Sequence, residues 1–126
     1  MSKNNDFWDF DFEDPSLVPP IEILSEQANF LETKSNGLFK GQILTKSIGS
    51  YIYHYFYLIV PALGNYRYQI LSLRHEMSLY PLIIDSPSYT NCADIHEFKV
   101  RVSEIINSPD VKRVVQALYA QARAKD

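Results

Sequence analysis

Apolar and polar residues alternate through the middle of this chain and recur with a longer period on either side, a pattern that predicts a sheet flanked by helices. The run Tyr-Ile-Tyr-His-Tyr-Phe-Tyr-Leu from Tyr51 repeats with period two, as a strand requires. Four strands are predicted, over residues 38–46, 50–60, 66–74 and 79–85. Ile48-Gly49 and Gly64-Asn65 read as two-residue turns, and residues 75–78 as a polar break before the fourth strand. These turns put Phe39, Gly41, Ile43 and Thr45 on one face with Ile52, His54, Phe56 and Leu58. Gln69, Leu71 and Leu73 join that face from the third strand, and Tyr80, Leu82 and Ile84 from the fourth, which Pro81 marks as an edge.

The flanks carry helical spacing. Ile21, Leu24, Ala28 and Leu31 form one stripe over residues 21–35, stopped by Asn36-Gly37. Asp94 followed by Glu97 is a capping box, and Ile95, Phe98, Val102, Ile105 and Ile106 make the stripe behind it. Ser108-Pro109-Asp110 opens a last helix, with Val111, Val114, Val115, Leu118 and Ala122 facing inward. The expected fold is therefore α+β, in the order α-β-β-β-β-α-α: an N-terminal helix, a four-stranded antiparallel meander and two C-terminal helices. Residues 1–20 read as an extended acidic and aromatic arm, because Trp8, Phe10 and Phe12 alternate with Asp9, Asp11 and Glu13. Residues 21–126 form the single domain expected of 126 residues.

Charge sharpens the picture. The net charge is −3, but residues 1–33 hold eight acids against one base, net −7, while residues 34–126 hold eleven bases and seven acids, net +4. A single cysteine, Cys92, excludes an internal disulfide and suits a reducing compartment. No apolar run approaches the ~20 residues that span a bilayer, and the first residues lack the layout of a secretory signal. The expected location is the cytoplasm.

Catalytic constellations do not emerge. The four glycines are used by turns and strands, leaving no phosphate loop, and no strand–helix–strand alternation supports a dinucleotide fold. Cys92 and His96 stand four apart, but zinc sites need three or four ligands, and a small buried cysteine beside a solvated histidine is the plainer reading. His54 reads as a satisfied core histidine and His75-Glu76 as a solvated turn. Glu22, Glu26 and Glu32 lie on or near the outer side of the first helix, so a paired-carboxylate acid/base site is not indicated. No enzymatic activity, cofactor or metal is expected.

Binding chemistry is better represented. The second face of the meander collects Lys40, Gln42, Leu44 and Lys46, then Tyr51, Tyr53, Tyr55 and Tyr57, then Tyr68, Ile70, Ser72 and Arg74. Tyrosine offers a large apolar body with a polar tip, and a face of four strands measures about 600 Å², close to the ~800 Å² each partner brings to a standard interface. The candidate binding residues are Trp8, Phe10, Phe12, Lys40, Tyr53, Tyr55, Tyr57, Tyr68 and Arg74. They suggest a non-enzymatic protein-binding module, with an inhibitor or immunity-like protein as one concrete form and a homodimer that exchanges arms as another. A small-ligand pocket between sheet and helices, with His54 as its polar group, is the alternative. Single-stranded nucleic acid could stack on the same tyrosines, but the acidic arm and a pI of about 5.6 oppose it.

Overall fold

In a computed structural model that describes residues 6–125, the alternating middle of the chain forms an antiparallel meander with one strand more than predicted. The first five positions of the predicted arm lie outside the described residues. Helix α1 (Pro20–Lys34) precedes strands β1 (Lys40–Ile48), β2 (Tyr51–Val60), β3 (Tyr66–His75), β4 (Leu82–Ser86) and β5 (Thr90–Cys92), and helices α2 (Ile95–Ile106) and α3 (Pro109–Lys125) close the chain. The strands lie in the sheet in sequence order. The fold is α+β, with an N-terminal helix, one antiparallel sheet and two C-terminal helices. Strand β5 has only three residues, too few to show a period, which is why the sequence pattern misses it. It takes the edge position expected of the fourth strand, and Pro81 stands just before β4 instead of within it.

Both predicted turns need correcting. Ile48 still pairs with Tyr51, so the first turn is Gly49-Ser50, one position later, with Gly49 at φ +61°. That moves the register by two residues: Gly41 faces Leu58 and Thr45 faces His54. Because side chains alternate with period two, a shift of two changes the neighbours and preserves the faces. The second connection is a 3-10 turn, Pro61–Leu63, closed by Gly64 and Asn65 in left-handed conformations. Ile70 then sits as an extra residue in a bulge, since Phe56 pairs with Leu71 but Tyr57 with Gln69. The bulge reverses the parity of the strand before it. Tyr68, expected beside the other tyrosines, instead faces Leu58 and packs on the core, while Gln69, expected inside, is exposed.

The helices cover one face of the sheet. Leu24, Phe39, Phe56, Leu58, Leu71, Leu73, Leu82, Ile84 and Phe98 are buried between the layers, each contributing ~1.5–3 kcal/mol by leaving water. In α1 the inward residues are Ile23 and Leu24, with Ile21 at the surface, so the stripe is rotated from the expected one. Helix α1 lies close on β1 because Gly41 carries no side chain: a methyl there would collide with the Cα and Cβ of Ala28. Buried Ser35 ends α1, donating its hydroxyl to the Glu32 carbonyl (3.2 Å) and accepting from the Phe39 amide (2.9 Å). The capping box of α2 is present: the Glu97 amide donates to Asp94 Oδ1 (2.9 Å), and Glu97 Oε1 accepts from the Ala93 amide (2.8 Å). Among the described residues no helix is long and apolar enough to cross a membrane.

Candidate functional site: the open sheet face

Strand β2 presents Tyr51, Tyr53, Tyr55 and Tyr57 on the side away from the helices, and all four are half-buried by their neighbours on the sheet. Pairing sets those neighbours: Lys46 and Arg74 flank Tyr53, Leu44 and Ser72 flank Tyr55, and Gln42 and Gln69 flank Tyr57. The rings of Tyr53 and Tyr55 are stacked, 6.5 Å apart and 9° from parallel. The Arg67 guanidinium lies 4.4 Å from the centre of the Tyr57 ring and that of Arg74 lies 5.2 Å from Tyr51. Each such contact supplies ~0.5–1 kcal/mol at a partly wet surface and holds both groups in place. Asp85 on β4 lies beside Arg74, with Nε 3.5 Å from Oδ1, an ion pair that does not close into a hydrogen bond and leaves the buried Nε without one. Lys40, at the far end of β1, is 3.8 Å from Glu32 of α1.

Five of the nine predicted binding residues thus share this face: Lys40, Tyr53, Tyr55, Tyr57 and Arg74. Tyr68 does not, for the reason given by the bulge, and burial pushes its phenol pKa upward. Arg67 and Asp85 complete the face and were missed by the sequence reading. Arg67 has the parity of Gln69, Leu71 and Leu73, which the predicted turn put on the inner side, and Asp85 is an extra residue opposite β3, between the Ser72–Ser86 and Leu73–Ile84 pairs.

Trp8, Phe10 and Phe12 lie elsewhere. Their rings pack on one another, with centres 5.5–5.9 Å apart, on a segment bent at Phe10 and Phe12. They remain 64–76% exposed, so they do not cover the tyrosines. The arm joins the body at Val18, whose carbonyl accepts from the Tyr80 hydroxyl (2.8 Å), and at buried Pro20. Earlier in the arm, Ser16 donates both its amide and its hydroxyl to Asp14, holding that carboxyl below its usual pKa.

The inner face holds a polar feature the sequence did not reveal. His75 is the last residue of β3 and buried, not a solvated turn, and its Nε2 lies 3.1 Å from Nε2 of buried His54. For two neutral rings, the partners of the other ring nitrogens fix the proton positions. The Glu76 carbonyl, 2.7 Å from His75 Nδ1, can only accept, so that nitrogen carries the hydrogen. Neutral His75 then accepts at Nε2 from His54 Nε2–H, and His54 Nδ1 accepts from the Thr45 hydroxyl at 2.9 Å. Every nitrogen is satisfied without a charge. Burial, and then the nearby His75, lower the His54 pKa to about 4. Signals for this pair were present as two histidines at the inner parity, but His75 fell one residue beyond the predicted strand end.

Cys92 is buried at the end of β5, and burial pushes its thiol pKa upward, opposite to what a nucleophile or metal ligand needs. His96 is exposed. Among the described residues no three His, Cys, Asp or Glu side chains converge on a metal-sized site. No protein-family model matches the chain, and neither a curated protein nor a solved structure matches it.

Proposed function

We propose that this chain is a non-enzymatic protein-binding module whose open sheet face takes hold of an acidic, aromatic segment of a partner. The observation that carries the reading is the ladder of four tyrosines edged by Lys46, Arg67 and Arg74, on a side of the sheet that no helix covers among the described residues. Stacked rings and braced guanidinium groups are already ordered, so binding loses little side-chain entropy there. Aromatic rings of a partner would lie on the tyrosines, and carboxylates would meet the cations.

The arm of a second copy is a segment of that kind. Residues 6–14 hold Asp6, Asp9, Asp11, Glu13 and Asp14 with no base, and present Trp8, Phe10 and Phe12 to solvent. A homodimer by arm exchange is the form to test first. An inhibitor of a basic partner is the other form, in which the arm itself is the recognition element.

Sedimentation of the full chain against a chain lacking residues 1–14, at low and high salt, tests the reading. A salt-sensitive dimer that disappears with the arm, and with Tyr55→Ala plus Arg74→Ala, supports exchange. A monomer throughout, together with unchanged capture of any basic or acidic partner from lysate by the double variant, would remove the face from consideration.

A further inference from the structure

On the helical side, α1 and α3 diverge and leave a cleft of about 760 Å³ between them. Beneath it lie the core side chains Phe39, Phe56, Leu58 and Ile70, 6% exposed or less, and the apolar surface it opens belongs to Phe30 and Leu31 of α1, Ile106 of α2 and Val115 of α3. This volume lies within the ~300–1,000 Å³ of small-molecule sites. The predicted ligand pocket was placed beside His54, which does not line this cleft. Phe30, on the same helix turn as Leu31, lines the cleft yet is 52% exposed, so its ring is not explained by the core.

Gln27, Ser35, Asn107, Gln116 and Tyr119 are the neutral polar groups of the lining, and its charged groups are of one sign. Lys34 and Lys112 line the cleft from opposite helices, with Gln116 and Tyr119, and no Asp or Glu belongs to the lining although the chain as a whole is acidic. Neither lysine lies within 4.0 Å of a carboxylate among the described residues. Apolar walls beside two unpaired ammonium groups match a ligand with a hydrocarbon body and an anionic head. We infer that this cleft binds an anionic amphiphile, a long-chain carboxylate, with the chain against Phe30, Leu31 and Val115 and the head group between Lys34 and Lys112. The site lies on the side of the sheet opposite the tyrosines and does not depend on the reading proposed for them.

Calorimetry with decanoate, dodecanoate and tetradecanoate, below their micelle concentrations, tests this on the full chain. Affinity should rise roughly three- to fourfold per added methylene as apolar surface leaves water. Dodecyltrimethylammonium should bind at least about tenfold more weakly than dodecanoate, and Lys34→Glu with Lys112→Glu should narrow or reverse that ratio. Val115→Trp should fill the cleft and abolish binding. Should that variant fail to fold, Phe30→Glu, at an exposed position, should weaken dodecanoate about tenfold while leaving the urea midpoint unchanged. Absence of saturable binding, equal affinity for the two head groups, or indifference to Phe30→Glu would overturn the inference. So would displacement of dodecanoate by a peptide of residues 6–19, which would assign the cleft to the arm.

Discussion

Strand β2 carries Tyr51, Tyr53, Tyr55 and Tyr57 toward one side and His54, Phe56, Leu58 and Val60 toward the other, and the two sides have opposite energetic characters. The inner side chains lie at 3% exposure or less, packed under helices or, for His54, matched atom by atom with Thr45 and His75. The outer tyrosines keep part of each ring in water and are steadied by neighbours on the same surface. An inner residue cannot be changed without opening a void or stranding a polar atom. An outer one can be removed at small cost to the fold, which leaves that face available for a partner.

The comparison can be broken most sharply at Phe56. Phe56→Ala should destabilise by ~3–5 kcal/mol in urea or thermal unfolding, whereas Tyr55→Ala, one residue away, should cost less than ~1 kcal/mol. Comparable losses would mean that the outer face is a second core layer.

Acid gives the next largest effect. The folded His54 pKa of about 4 lies below its ordinary 6.5, so the unfolded chain binds the extra proton more readily. The contribution of His54 is full above pH 6.5 and is lost as pH falls from 6.5 to 4, by about 2–3 kcal/mol. Urea midpoints should fall over that window, and His54→Phe should flatten the fall relative to the parent. A parallel decline in the variant would separate the histidine from the acid response.

At Gly41 the expected effect is smaller: Gly41→Ala forces α1 away from β1 and should cost ~1–3 kcal/mol, measurable as a lower melting temperature. Smallest of all is Glu32→Gln, which removes an exposed 3.8 Å ion pair with Lys40 and should change stability by less than ~0.5 kcal/mol.

What the sequence revealed follows from the same physics. Binary alternation assigned the faces of β1 and β2 correctly although the first turn was misplaced, because a two-residue slip conserves parity. It failed at Tyr68 because a bulge is one residue that no period announces, and the aromatic and apolar residues before Leu71 fit either face. The capping signals Asp94, Glu97 and Ser108 located two helix starts to within a residue, since each satisfies an otherwise unpaired amide. Of the candidate site, the tyrosine ladder was legible. The histidine pair was missed because the third strand runs to His75, one residue past its predicted end. The cleft depends on how two helices splay, which neither stripe encodes.

The two margins of the sheet also differ. Strand β5 offers a free edge three residues long, but β1 one of nine, along which alternate residues turn their backbone groups outward with no further strand against them among the described residues. A ladder of unmatched amides of that length invites stacking between molecules in a crowded cell, and Lys40 and Lys46 stand along it as charges that repel a second copy of the same edge. Replacing both with valine should leave the isolated fold intact and turn a concentrated solution turbid, a failure of colloidal behaviour and not of folding.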